Sequence, residues 1–305
     1  MMTLACPRCH ILLDDVDSRT KRCLKDELTF RQEHGIWRML LPERGEYFSR
    51  FIRDYETVRR SEGRGSADAS YYRSLPYHDS ADWRIRAASF DAFRRSVLIP
   101  MEKKSASLRI LDLGAGNGWL SNHLALHGHD LTAVDLTTND FDGLGCHRFY
   151  ASTFLPVQAE FDQLPCSDGE VDIVLFNASL HYSVDFQATL TEALRVLDKS
   201  GTIVVLDSPV YHNPRSGAQM VSERKALFTK QYGFPSNHLQ SENYLTYARL
   251  KELAGALKLT WRFITPFYNL QWTLRPLLAF LLHRREPAKF HVIVGGRINP
   301  THPSG

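Results

Sequence analysis

Residues 111–119, "LDLGAGNGW", end an apolar strand on an acid and run through three glycines before a tryptophan opens the next element. The flanking "LRI" extends the strand back to Leu108, and "WLSNHLALHG" has the length and apolar spacing of a helix. Gly114, Gly116 and Gly118 let the backbone pass close to a ligand at a helix amino terminus. Their spacing is G-x-G-x-G, not the G-x-G-x-x-G of a pyrophosphate-binding dinucleotide site, and Asp112 stands two residues before the first glycine. A carboxylate there repels a pyrophosphate and favours a ligand carrying positive charge.

Outward from this turn, strands and helices alternate. "LTAVDL", "VDIVLFNA" and "GTIVVLDS" read as strands, "DFQATLTEALRVLD" and "YLTYARLKELAGALK" as helices, and "LTWRFITPF" and "AKFHVIVGGRI" as the last two strands. The alternation predicts an α/β fold with a doubly wound, mostly parallel sheet over residues 107–298, interrupted by insertions at about 211–243 and 267–287.

"LDLGAGNG" resembles the first motif of the class I S-adenosylmethionine-dependent methyltransferases, of the type 11 kind, and the later motifs follow in that family's order. The resemblance implies a Rossmann-like sheet ending in an antiparallel hairpin, for which Leu259 to Phe267 and Ala288 to Ile298 are suited, and S-adenosyl-L-methionine as cofactor. It also implies cofactor contacts at Asp112, Gly114, Gly116, Asn117 and Gly118, and at Asp135 with Leu136, where the acid ends the second strand and receives the ribose hydroxyls. "FDQLPCSDGEVDIV" supplies Asp162 for the adenine amino group, Phe161 as a wall for the ring, and Asn177 at the end of the following strand. Singly, each motif also occurs as plain structure in other α/β folds.

Residues 1–40 form a different unit. Cys6-Pro-Arg-Cys9 followed by Cys23 has the spacing of half a zinc ribbon, with Asp26 where a second Cys-x-x-Cys would place its last thiolate. Cys6, Cys9, Cys23 and Asp26 are therefore candidate zinc ligands, with His10 and His34 as other candidates for the fourth position; the alternative is a ribbon that folds without metal. This segment and "GIWRMLLPE" resemble the arrangement in certain bacterial ribosomal RNA guanine methyltransferases, from which Asp26 departs. Residues 41–106 read as a helical lid or linker, with helices near Arg50–Arg60 and Trp83–Val97 and an aromatic loop between them whose Tyr71 and Tyr72, with Trp83, are placed to cover a pocket or fill a core.

Composition narrows the class. The 305 residues are 43% hydrophobic and 23% charged with a formal charge of +3, which suits a globular protein and gives no electrostatic argument for nucleic acid. Five cysteines, three of them in the first 23 residues, do not make a disulfide framework. No signal-like start or membrane-length apolar run is read, so a cytoplasmic protein is expected.

Methyl transfer from a sulfonium requires alignment and exclusion of water; a base is needed only when the acceptor must lose a proton. In an open α/β sheet, ligands lie beyond the carboxyl ends of the strands. His181 and Tyr182 follow the strand "VDIVLF" at that edge, His181 as candidate base and Tyr182 as a weaker candidate, the alternative for both being a pocket wall. Asp207 ends the next strand, either orienting an acceptor or capping the following helix. The apolar stretch "WTLRPLLAFLLHRR" reads as a cover helix packed on the domain, or as one that lines a greasy pocket or lies on lipid. The expected activity is methyl transfer to a small organic acceptor, an apolar one among the candidates; RNA methylation and a non-catalytic cofactor-binding scaffold or sensor are the alternatives.

Overall fold

Alternation along the central strands sends apolar side chains into two cores. Between Arg109 and Leu113, Leu111 and Leu113 enter one core and Ile110 the other; between Val171 and Asn177, Val174 and Phe176 oppose Ile173 and Leu175 in the same way. Such strands read as continuous apolar runs because helices cover both faces of the sheet.

The computed structural model describes residues 2–235 and 238–298. Four short strands, β1 (Asp14–Asp17), β2 (Thr20–Arg22), β3 (Thr29–Glu33) and β4 (Ile36–Arg38), precede helices α1 (Pro42–Ser61), α2 (Ala69–Ser74), α3 (Ala81–Phe93) and α4 (Ile99–Glu102). The sheet core then runs β5 (Arg109–Leu113), α5 (Trp119–Leu126), β6 (Asp130–Asp135), β7 (Leu155–Gln158), β8 (Val171–Asn177), α6 (Phe186–Val196), β9 (Leu197–Leu206). After it come β10 (Val210–Tyr211), α7 (Pro214–Tyr232), β11 (Leu245–Thr246), α8 (Tyr247–Leu257), β12 (Leu259–Ile264), α9 (Leu270–Leu281) and β13 (Val292–Arg297).

The large sheet has the order β1-β2-β3-β4-β7-β6-β5-β8-β9-β13-β12. Strands β7, β6, β5, β8 and β9 are parallel, whereas β13 runs antiparallel to both β9 and β12. This is the Rossmann-like sheet with a carboxy-terminal antiparallel hairpin. The amino-terminal meander joins its edge through a parallel pairing of β4 with β7, Trp37 opposite Val157.

One local reading is corrected and one alternative decided. The aromatic loop contains helix α2, started by Asp68, whose side chain accepts the Ser70 N–H. Tyr72 fills a core: it is fully buried, stacks on Phe149 and donates its hydroxyl to the Phe141 carbonyl at 2.7 Å.

Candidate functional site

The parallel strands end together, so the turns after β5, β6, β8 and β9 converge on one cavity of about 600 Å³. Its wall includes Gly114, Gly116, Asn117, Asp135, Leu136, Phe161, Asp162, Asn177, His181, Tyr182 and Asp207.

On the β5–β7 side, the turn after β5 holds left-handed backbone at Gly114, where an added Cβ would meet the Ser179 Cβ at 2.3 Å. Glycine there keeps open a cradle that any side chain would close. Asp135 Oδ2 accepts the Gly116 N–H at 2.8 Å, and its Oδ1 accepts the Thr137 N–H and hydroxyl, each at 2.7 Å. Burial raises this carboxyl above its ordinary range. Asn117 accepts the Trp119 N–H at 3.2 Å. Phe161 packs edge-on to Phe176 beside the cavity. Asp162 accepts the Thr189 hydroxyl, and burial also raises its carboxyl. Asn177 Oδ1 is buried with no hydrogen-bond partner, an acceptor left for a bound donor. The residues thus fit an adenosyl cofactor: acceptors for hydroxyls and an amino group, an aromatic wall and a glycine cradle.

Two members of the predicted set lie elsewhere. Asp112 is fully buried outside the cavity wall, where it accepts the Ser121 hydroxyl at 2.8 Å, and burial pushes its carboxyl up to about 7. It sits behind the turn against α5, with Oδ2 bonded to Ser121 and Oδ1 buried without a hydrogen-bond partner. Gly118 is also outside the wall; it starts α5 in left-handed backbone, where a Cβ would strike the Phe154 ring at 2.8 Å.

His181 lines the cavity, with Nδ1 3.2 Å from the Ser208 hydroxyl. Burial, with the charges of Arg224 and Arg86, lowers its pKa to about 3. A neutral imidazole so hard to protonate is a poor match for proton abstraction near neutral pH. Tyr182 packs on it at 4.4 Å between ring centroids and accepts a hydrogen bond from Arg224 at 3.2 Å.

Asp207 does not cap the following helix, which Asn213 begins. Its Oδ1 accepts the Ser89 hydroxyl at 2.5 Å, and burial pushes its carboxyl up to about 6 against the opposing charge of Arg86. The folded carboxyl keeps its proton to about pH 6 while the unfolded one releases it near 3.8, so stability falls as pH rises through that window. Asp207→Asn, which also suits the φ of 49° at this position, is expected to match the parent near pH 4 and exceed it at pH 8, by up to about 3 kcal/mol. Thermal melts across that range check this; a pH-independent difference would refute it.

Arginines from distant segments, none of them singled out by a local motif, complete the wall. Arg59 pairs with Asp142, Arg64 with Asp82 and Arg285 with Glu223. Arg86, Arg224 and Arg275 also line the cavity, yet among the described residues none has a carboxylate within ion-pair distance; Arg275 lies 4.0 Å from the Trp272 ring centroid and Arg224 lies over Tyr182.

Remote from the cavity, Cys6, Cys9, Cys23 and Asp26 come together, their ligand atoms all within 4.8 Å of one another. Cys9 and Cys23 sulfurs are 3.5 Å apart, and Asp26 Oδ2 lies 3.2 Å from Cys6 Sγ. A tetrahedral zinc with about 2.3 Å bonds to sulfur separates its ligand atoms by about 3.5 to 3.8 Å, so the set fits such an ion. His10 and His34 are not part of it; His10 reaches Glu192 at 3.6 Å instead.

The parallel sheet with its antiparallel hairpin, and the turns that converge on one cavity, give the fold of the class I S-adenosylmethionine-dependent methyltransferases. Residues 111–205 match the family described as "Methyltransferase domain". An uncharacterized methyltransferase of Mycobacterium tuberculosis is 30% identical over 141 residues, 46% of this chain and 49% of that protein. A malonyl-[acyl-carrier protein] O-methyltransferase of Erwinia billingiae is 30% identical over 97 residues, 32% of this chain and 37% of that protein. The chain thus spans about half or less of the length of these relatives. Among solved structures, a putative sarcosine dimethylglycine methyltransferase from Galdieria sulphuraria superposes with a TM-score of 0.51 at 14% identity, covering 80% of this chain and 97% of that one, a likeness of fold.

Proposed function

We propose that the protein transfers a methyl group from S-adenosylmethionine to a small acceptor with an apolar body and an anionic group. The observation that carries the acceptor class is the set of arginines in the cavity wall without carboxylate partners, Arg224 above all. These guanidinium groups are half-buried, and a bound anion would supply the counter-charge that the wall does not. Phe51, Tyr55, Tyr182, Tyr211, Trp272 and Phe290 supply apolar surface in the same cavity.

Bound S-adenosylmethionine would supply the activated methyl; Asp135, Asp162, Phe161, Asn177 and the Gly114–Gly116 turn would hold it. The aromatic residues exclude water from the site. A carboxylate acceptor arrives ready to react, and for an acceptor that must lose a proton, Asp207 near pH 6 is better matched than His181 near 3. We assign His181 and Tyr182 to the wall that positions the acceptor.

RNA fits less well, since the formal net charge is only +3 and the outermost strand of the amino-terminal meander exposes Asp14, Asp15 and Asp17. The Cys6, Cys9, Cys23 and Asp26 cluster is proposed as a structural zinc site holding that meander.

The acceptor class is tested with labelled S-adenosylmethionine and a fractionated cell extract. Label is expected in small molecules retained on an anion exchanger. Arg224→Met is expected to lower kcat/KM for that fraction by about 100-fold, the size of a lost hydrogen-bonded charge pair, with S-adenosylhomocysteine affinity unchanged within about twofold. Label confined to RNA or to uncharged molecules would sink the proposal.

A further inference from the structure

The helix α9, for which the sequence left open a cover helix, the lining of a greasy pocket or a helix on lipid, contains no buried residue. Its inner face, Trp272, Arg275 and Ala279, is half-buried, and Trp272 and Arg275 line the cavity. The opposite stripe, Leu270, Leu274, Leu277, Leu278 and Leu281, is exposed at i, i+4, i+7, i+8 and i+11. Phe280 at 78% and Phe267 at 72% exposure extend the patch at its sides and entrance. Scattered exposed leucines are ordinary, but a continuous helical stripe of this kind marks a surface that something covers.

The charge near it narrows the cover. From Leu253 to Arg285 the chain has not one Asp or Glu; of its cations near the helix, Arg275 faces the cavity and Arg285 pairs with Glu223, which leaves Arg284. Arg284, next to the end of the helix, has no ion-pair partner among the described residues. No helix among the described residues is long and apolar enough to cross a membrane. An apolar stripe without a carboxylate of its own, ended by an exposed arginine and too short to span, has the physical character of a helix lying in the headgroup boundary of an anionic bilayer.

We propose that α9 docks this protein on an anionic lipid surface, with the cavity opening beside the docked helix. The proposal rests on α9 alone and stands independently of the acceptor class.

The test is co-sedimentation of the full chain with vesicles of phosphatidylcholine and phosphatidylglycerol at 3:1, and with phosphatidylcholine alone. Binding to the anionic vesicles is expected to exceed binding to the neutral ones by about tenfold and to weaken in 0.5 M salt, as screening requires. Phe280→Glu with Leu281→Glu, both exposed in the free protein, is expected to reduce binding by about tenfold or more without changing Tm. Leu126→Glu, an exposed leucine on α5, is expected to bind like the parent. Three results would overturn the proposal: no vesicle binding, equal binding by the α9 double variant, or a dimer in sedimentation that this variant dissolves while vesicles bind nothing.

Discussion

Asp135→Ala is expected to weaken S-adenosylmethionine binding by about 100-fold, because it removes the carboxylate best placed for the ribose. A hydrogen bond to a charged group contributes roughly 1.5 to 3 kcal/mol, and the loss of one good bond accounts for about 10- to 150-fold. Here the carboxylate already accepts three donors, the Gly116 N–H and both donors of Thr137. With about four acceptor positions in all, one full position remains at Oδ2, so a second ribose hydroxyl must share with Gly116. The substitution also frees the Gly116 N–H, which loosens the turn that forms the cradle. Asp135→Asn tests the charge separately: its amide, turned toward Gly116, meets a donor with a donor and should bind nearly as weakly. Calorimetric titration of both variants decides the matter, with melting curves to confirm folding. A loss of less than about threefold for Asp135→Ala would remove this residue from the cofactor site.

Most of the sheet was legible because its strands are long, apolar on both faces and separated by helical periodicity. β7 was not among the strands read, for a physical reason: Leu155–Gln158 is four residues long and contains Pro156, so it lacks the run that marks a strand. Its place is fixed by neighbours, β6 on one side and β4 on the other. Cavity-wall residues were legible where one local turn collects several of them, as at Gly114 to Asn117. The same turn gave no sign that Asp112 would stand outside that wall. In a strand, alternate residues face opposite sides, and Asp112 lies on the face that meets α5, where Ser121 receives it. The arginines of the acceptor region were illegible because each stands on a different helix, Arg86 on α3, Arg224 on α7 and Arg275 on α9, with nothing in its own neighbourhood to distinguish it from a solvated surface cation. His181 shows the limit from the other direction. Its position was readable, but its basicity depends on burial and on two of those arginines, which only the folded chain brings close.

Stripping metal from the native protein is expected to have the other large effect. A structural zinc contributes on the order of 10 kcal/mol or more to small domains that fold around it. Here the benefit is shared, because Cys6 and Cys23 are fully buried and pack in the same core as Trp37, Val157 and Cys166, which hold part of the meander without metal. Protein purified without chelator is therefore expected to carry about one zinc per chain, and removing it to lower Tm by roughly 10 °C without unfolding the parallel sheet. Amide exchange should localise the change, rising first in β2 and β3 and next in β4, whose pairing with β7 ties the meander to the sheet edge. Cys23→Ser is expected to abolish zinc retention. Asp26→Cys should tighten it, since a fourth thiolate replaces the single oxygen ligand of the set. Metal content below about 0.1 zinc per chain after refolding in excess zinc, with a melting curve that chelator leaves unchanged, would show instead that the meander is held by its apolar packing and its pairing with β7 alone.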